Sequence, residues 1–131
     1  MPIIKNRSLL LAVLIGIAIG IVGNTVARAR QTKTPPGYVI AEVQIQDPAT
    51  FKEYADKVAA TLPPFGGHYL ARNGKITSVE GDAPKLFVII GFDSAQKAQD
   101  WYDSPVYNAI KQIRFNSAKT RLFITEGIAP Q

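Results

Sequence analysis

A single histidine, a few polar strand residues and a knot of aromatics hold the chemistry this chain can offer. His68 is its one imidazole, and an imidazole titrating near neutrality serves as an acid, a base or a metal ligand. One histidine without any cysteine makes no multi-ligand zinc set, and the carboxylates nearest in sequence lack ligand spacing. No metal and no bound cofactor are therefore expected. Placed just after Gly66-Gly67, His68 reads equally well as an exposed residue at the start of a strand. Tyr38, Glu42, Tyr69 and Arg72 fall in two predicted strands. On a face that encloses a cavity they supply convergent polar groups, and a carboxylate buried there has its pKa raised and can act as a base. At a solvated sheet edge the same residues do nothing. Trp101, Tyr102 and Tyr107 crowd around Ser104-Pro105, where they either wall a small-molecule pocket with hydroxyls as polar handles or anchor a broken helix to the sheet. There is no nucleophile elbow, phosphate loop, dinucleotide fingerprint or paired His-Glu metal motif.

The elements that position these residues follow from periodicity and punctuation. Residues 38–45 (YVIAEVQI) alternate as a strand. Asp47-Pro48 stops it and opens a helix, with Asp47 as N-cap and Pro48 at the first helical position. Phe51, Tyr54, Ala55, Val58 and Leu62 share one face of that helix, and Pro63-Pro64 ends it. Residues 68–72 (HYLAR) form a second strand. Asn73-Gly74 signals a hairpin, with residues 75–79 continuing as a short arm. A turn at residues 81–84 leads into a third strand, residues 85–92 (KLFVIIGF). Asp93 or Ser94 caps a second helix with the stripe Ala95, Ala98, Trp101, Tyr102. Ser104-Pro105 interrupts it in the same cap-then-proline order, and Val106, Ile110 and Ile113 carry the stripe onward. Residues 120–125 (TRLFIT) close the domain. The order βαββαβ predicts an α+β, ferredoxin-like fold, a four-stranded antiparallel sheet with its helices on one face.

That arrangement leaves the second sheet face open, yet its residues are not those of a wet surface. In the third strand Leu86, Val88, Ile90 and Phe92 point one way while Phe87 and Ile89 point the other, and a strand apolar on both sides is covered on both sides. In the first strand Val39, Ala41, Val43 and Ile45 form a clean apolar face opposite the mixed set Tyr38, Ile40, Glu42 and Gln44. The simplest cover is a second copy of the sheet, so a homodimer of the α+β barrel type is expected. A monomer whose C-terminal tail folds back is the alternative.

The N-terminus predicts where the domain works. Lys5 and Arg7 precede the uncharged run at residues 9–22 (LLLAVLIGIAIGIV), and Ala27-Arg28-Ala29 follows. A charged head, an apolar middle and a small-x-small end describe a secretory leader over residues 1–30. The uncharged stretch 8–27 is also long enough to span, so an uncleaved anchor through residues 9–27 is the alternative. Against cleavage, Arg28, Arg30 and Lys33 follow closely, and positive charge is disfavoured on a translocated flank. Ala12, Gly16 and Gly20 recur every four residues, a helix-packing pattern that the ordinary Ala and Gly content of leaders also produces. Either way the domain is expected outside the cytoplasm, periplasmic or extracytoplasmic, exported or anchored. Residues 31–37 read as a linker, 38–127 as the domain and 128–131 as a tail. The formal charge of +5 belongs mostly to the leader: from Gln31 onward there are eleven Lys/Arg against ten Asp/Glu. A near-neutral domain gives no electrostatic case for nucleic acid. Without cysteine, it holds together by packing or association alone.

Several stretches together resemble a known family: GYVIAEVQIQDPATFKEYA, FGGHYLARNG, EGDAPKLFVIIGFDS, WYDSPVYNAIKQIR and the FITEG ending. They are similar to the family called domain of unknown function 1330, over residues 37–127. The run Trp101-Tyr102-Asp103-Ser104-Pro105-Val106-Tyr107 is the most specific part. The resemblance implies a ferredoxin-like subunit of the dimeric α+β barrel superfamily, whose relatives include small monooxygenases acting without a bound cofactor, lactone isomerases and haem-dependent enzymes. It carries over no catalytic residue. Position 68, often long and basic in similar sequences, is histidine here, and the leader is an addition to the usual bare domain. Two functions follow as expectations: a small-molecule-binding or structural dimer, or a cofactor-independent monooxygenase- or isomerase-like enzyme whose pocket Glu42, His68 or Arg72 should line.

Overall fold

A computed structural model of the chain describes residues 32–131, and the expected leader, cleaved or retained, lies outside them. Among the described residues no helix is long and apolar enough to cross a membrane. The elements run β1 (Gly37–Ile45), α1 (Pro48–Thr61), a 3-10 turn (Pro63–Phe65), β2 (His68–Arg72), β3 (Leu86–Phe92), α2 (Ala95–Asp103), α3 (Pro105–Ser117) and β4 (Ala118–Glu126). The sheet order is β2-β3-β1-β4, with each neighbouring pair antiparallel. This is the split β-α-β order predicted from sequence.

Short polar residues start the helices where expected. The Asp47 carboxylate accepts hydrogen bonds from the Thr50 amide (3.2 Å) and hydroxyl (2.7 Å), which hold it below the ordinary carboxylate range. Ser94 caps α2 by accepting from the Lys97 amide. Ser104 ends α2 and begins α3: its hydroxyl donates to the Trp101 carbonyl (2.7 Å) and accepts from the Tyr107 amide (3.2 Å), all of it buried. Ser104→Ala should therefore cost about 1–2 kcal/mol, read as a lower urea midpoint by circular dichroism; an unchanged midpoint would show that Pro105 alone sets the corner.

Two details differ from expectation. Residues 75–79 form no ladder; the chain from Asn73 to Lys85 is an exposed loop, entered through Asn73 at φ 54. The hairpin signal marks a departure from the sheet, because residues 75–79 (KITSV) lack an apolar face to bury against β3. In α3 the inward stripe is Tyr107, Ile110, Arg114 and Ser117, spaced three, four and three apart, and Val106 is 47% exposed. Pro105 sets the phase of the helix so that Tyr107, one position on, takes the core side.

The core lies between the sheet and the helices. Val39, Ile90 and Phe92 from the strands meet Tyr54, Val58, Leu62, Ala98, Trp101, Tyr107 and Ile110. Register places Val39, Ala41 and Val43 beside Ile90, Val88 and Leu86 on one side and beside Ile124, Leu122 and Thr120 on the other. The opposite face carries the row Ala71, Ile89, Ile40 and Phe123 across all four strands, and Phe123 is 43% exposed.

Candidate functional site

A cavity of about 90 Å³ lies between the sheet and α1 and α3. Its floor crosses all four strands: Tyr69 and Arg72 from β2, Leu86, Val88 and Ile90 from β3, Val39, Ala41 and Val43 from β1, Thr120 and Leu122 from β4. Phe51, Tyr54, Ala55 and Val58 of α1, Trp101 of α2 and Arg114 of α3 complete the wall. At its centre the floor is formed by the small residues Val39, Ala41 and Val43 of β1, facing the aromatic rings of Phe51, Tyr54 and Trp101. A gap of this size is uncommon beside a core otherwise packed like an organic crystal.

The lining is apolar apart from a few groups. Arg114 is only 4% exposed, and its Nε–H has no hydrogen-bond partner; neither has the Thr120 hydroxyl. The Tyr54 hydroxyl faces Tyr107 across 2.9 Å. Burial, chiefly, and the nearby Tyr107 push the Tyr54 pKa far above its ordinary value. Burial likewise raises Tyr107, against the opposing pull of the Arg114 charge. Both phenols therefore keep their protons at neutral pH and act as donors, not bases.

The residues singled out from sequence divide between the two faces of the sheet. Tyr69 and Arg72 reach the cavity together because β2 carries a bulge: Tyr69 pairs with Ile90, Ala71 with Ile89, and Arg72 with Val88. The extra residue returns Arg72 to the helix side, where its guanidinium lies over the Tyr69 ring at 4.7 Å. Trp101 is both wall and anchor. Its indole N–H donates to the Thr61 hydroxyl (2.9 Å) and its ring stacks on Tyr107 at 4.1 Å. Tyr107 stands behind Tyr54. Half-buried Tyr102 carries the Lys111 ammonium over its ring at 3.7 Å, and Lys111 also donates to the Tyr102 carbonyl at the end of α2. Desolvation lowers the Lys111 pKa against the attraction of Asp103.

Tyr38, Glu42 and His68 lie on the other face, away from the cavity. Glu42 sits opposite Arg121 on β4 and pairs with it through both oxygens at 3.2 Å. His68 is exposed, its Nδ1 3.4 Å from the Gly66 carbonyl. Its ring covers Gly91, where an added Cβ would stand 3.1 Å from Nε2. Glu42, His68 and Arg72 thus do not share a pocket. Among the described residues no cluster of three or more His, Cys, Asp or Glu could hold a metal ion. Sequence reasoning missed Tyr54, Arg114 and Thr120. The available signal was Arg114 falling in step with Tyr107 and Ile110 on the inward face of α3.

The fold and this internal site define a ferredoxin-like α+β domain with a cavity between sheet and helices. The chain belongs to the family described as domain of unknown function (DUF1330), whose model matches residues 36–128. No curated protein matches the chain. Among solved structures it is similar to a protein of unknown function from Rhodopseudomonas palustris, at 14% identity and a TM-score of 0.60, covering 85% of this chain and 94% of that one. It is also similar to SnoaB, a cofactor-independent oxygenase from Streptomyces nogalater, at 13% identity and a TM-score of 0.51, covering 75% and 96%. A hypothetical Arabidopsis thaliana protein matches at 16% identity and a TM-score of 0.51, covering 80% and 98%. At these identities the likeness is one of fold.

Proposed function

We propose that the protein is a homodimeric small-molecule-binding protein whose ligand occupies the cavity between the sheet and the helices. The observation that carries this reading is an apolar cavity whose lining includes Arg114 and Thr120, each with a buried polar atom, Nε and Oγ1, that has no hydrogen-bond partner. Buried polar groups are nearly always satisfied, and exceptions need an explanation such as an absent partner. The cavity lining contains no carboxylate and no imidazole, and burial keeps the Tyr54 phenol protonated, so its buried polar groups serve mainly as hydrogen-bond donors. That favours binding over proton-abstraction chemistry. The apolar row Ile89, Ile40 and Phe123 on the open face supports pairing with a second copy. The leader pattern of residues 1–30 supports a location beyond a membrane, exported or anchored.

The test is an NMR titration of the full-length chain with a compact neutral probe, isobutyramide. The amides of Ala41, Val43, Val88 and Leu122 should shift in a saturable way. Ala41→Leu, which fills the floor, should abolish those shifts in a protein that remains folded. Shifts confined to the outer sheet face, or none with either isobutyramide or the acid isobutyrate, would sink the reading.

A further inference from the structure

We infer that the cavity selects an anion: its ligand is a small, mostly apolar molecule bearing one carboxylate, held by Arg114 with Tyr54 and Thr120 beside it. The inference rests on the cavity being a binding site and adds the chemical class of what binds. Arg114 is a permanent cation taken almost wholly out of water. Neither the Lys52–Asp56 nor the Arg121–Glu42 ion pair includes it. Isolated charges are rarely buried without a partner, because desolvation costs far more than the polar contacts of a core return.

The surroundings account for part of that charge. Arg114 lies in the last turn of α3, where a cation meets the negative end of the helix dipole, and its guanidinium lies 4.8 Å from the Phe115 ring centre. Neither engages the Nε–H, which has no acceptor. A carboxylate supplies both the missing charge and the missing acceptor, and a planar carboxylate meets the guanidinium edge in two parallel hydrogen bonds.

The neighbours complete the same preference. In the Tyr54–Tyr107 pair one hydroxyl donates and the other accepts. When Tyr107 donates, the Tyr54 proton is free to point into the cavity that Tyr54 lines. The unpartnered Thr120 hydroxyl is a further donor. These donors, in a lining that also includes Arg72 and no carboxylate, suit an oxyanion. Size limits the rest. At about 90 Å³ the cavity suits a compact group of a few heavy atoms, since an apolar cavity of about 150 Å³ holds benzene. The lining that surrounds the donors is hydrocarbon from Val39, Ala41, Val43, Val88 and Leu122, so the acid carries a short branched or cyclic tail.

Isobutyrate and its neutral isostere isobutyramide separate the possibilities in the full-length chain, followed by amide and methyl NMR shifts at neutral pH. Isobutyrate should bind at least about tenfold more tightly, the effect of one charge-assisted hydrogen bond replacing a neutral one. Arg114→Met should erase that preference while isobutyramide still shifts Ala41 and Val88. Thr120→Val should weaken isobutyrate by a smaller factor in a protein whose fold it leaves intact. Should Arg114→Met fail to fold, the comparison of the two probes on the native chain decides alone. Isobutyramide binding as well as or better than isobutyrate overturns the anion inference and leaves the binding site standing. If neither probe reaches the cavity, the site itself falls and the inference with it.

Discussion

Trp101→Ala should lower the stability of the domain by about 3–5 kcal/mol, the range for truncating a fully buried large aromatic. The indole is 1% exposed and packs against Phe92, Tyr102 and Tyr107 at centroid separations of 5.8, 6.5 and 4.1 Å. It also anchors a polar relay: the Thr61 hydroxyl accepts from Trp101 Nε1 (2.9 Å) and donates to the Val58 carbonyl (2.7 Å). Truncation therefore removes packing on three sides and strips Thr61 of its buried donor. Small domains are stable by only about 5–15 kcal/mol, so the variant should lose a large share of its stability. Because Trp101 is the chain's single tryptophan, its own fluorescence is lost with it, and urea unfolding by far-UV circular dichroism is the measurement. Trp101→Phe keeps most of the volume and loses the hydrogen bond, and should cost about 1–2 kcal/mol. A Trp101→Ala midpoint close to that of the native chain would mean that the aromatic knot packs around a gap, and that Trp101 serves the cavity more than the core.

The sequence made the frame of this domain readable because its signals are local. Asp47, Ser94 and Ser104 are short polar residues placed just before helical periodicity, two of them followed by proline, and each caps the helix it announced. Strand faces follow a period of two, so the division of β3 into Leu86, Val88, Ile90 and Phe92 against Phe87 and Ile89 could be assigned without knowing what covered either side. The cavity was less legible because two non-local choices build it. Simple alternation puts Arg72 with His68 and Leu70; the bulge in β2 moves it across the sheet to join Tyr69, and no residue type in HYLAR forces a bulge. Arg114 was hidden by its charge. An arginine on an amphipathic helix is ordinarily solvated, and only the phase set by Pro105 turns this one inward. The same phase exposes Val106, which its spacing from Ile110 and Ile113 places on the apolar stripe. Glu42 and His68, the residues with the most recognisable acid–base chemistry, stayed on the outer face because register, not residue type, decides which way a strand residue points.

That outer face carries the second large expected effect. Ile40→Asp should convert the proposed homodimer to a monomer while leaving the subunit folded. Ile40 occupies the middle of the open face, between Ile89 on β3 and Phe123 on β4, and it points away from the core that Val39 and Ala41 enter on the other side. A carboxylate there costs the isolated subunit little, since its neighbours are already partly in water. Covered by a second sheet it becomes a buried charge with apolar neighbours. In a two-fold dimer the change occurs twice in one interface. At about 2 kcal/mol for each copy, a modest figure for an unpaired polar group, the dissociation constant should weaken by about a thousandfold. The nearby Arg121 gives no relief, because Glu42 already engages it through both carboxylate oxygens. Sedimentation equilibrium of the full-length chain should show two chains for the native protein and one for the variant at the same micromolar concentration, with matching far-UV spectra. A native chain that sediments as a monomer would remove the second sheet as the cover for Ile40, Ile89 and Phe123. A variant that remains dimeric would place the interface elsewhere on the subunit. Either way the cavity would remain, since its walls come from the opposite face of the sheet and from the helices of one subunit.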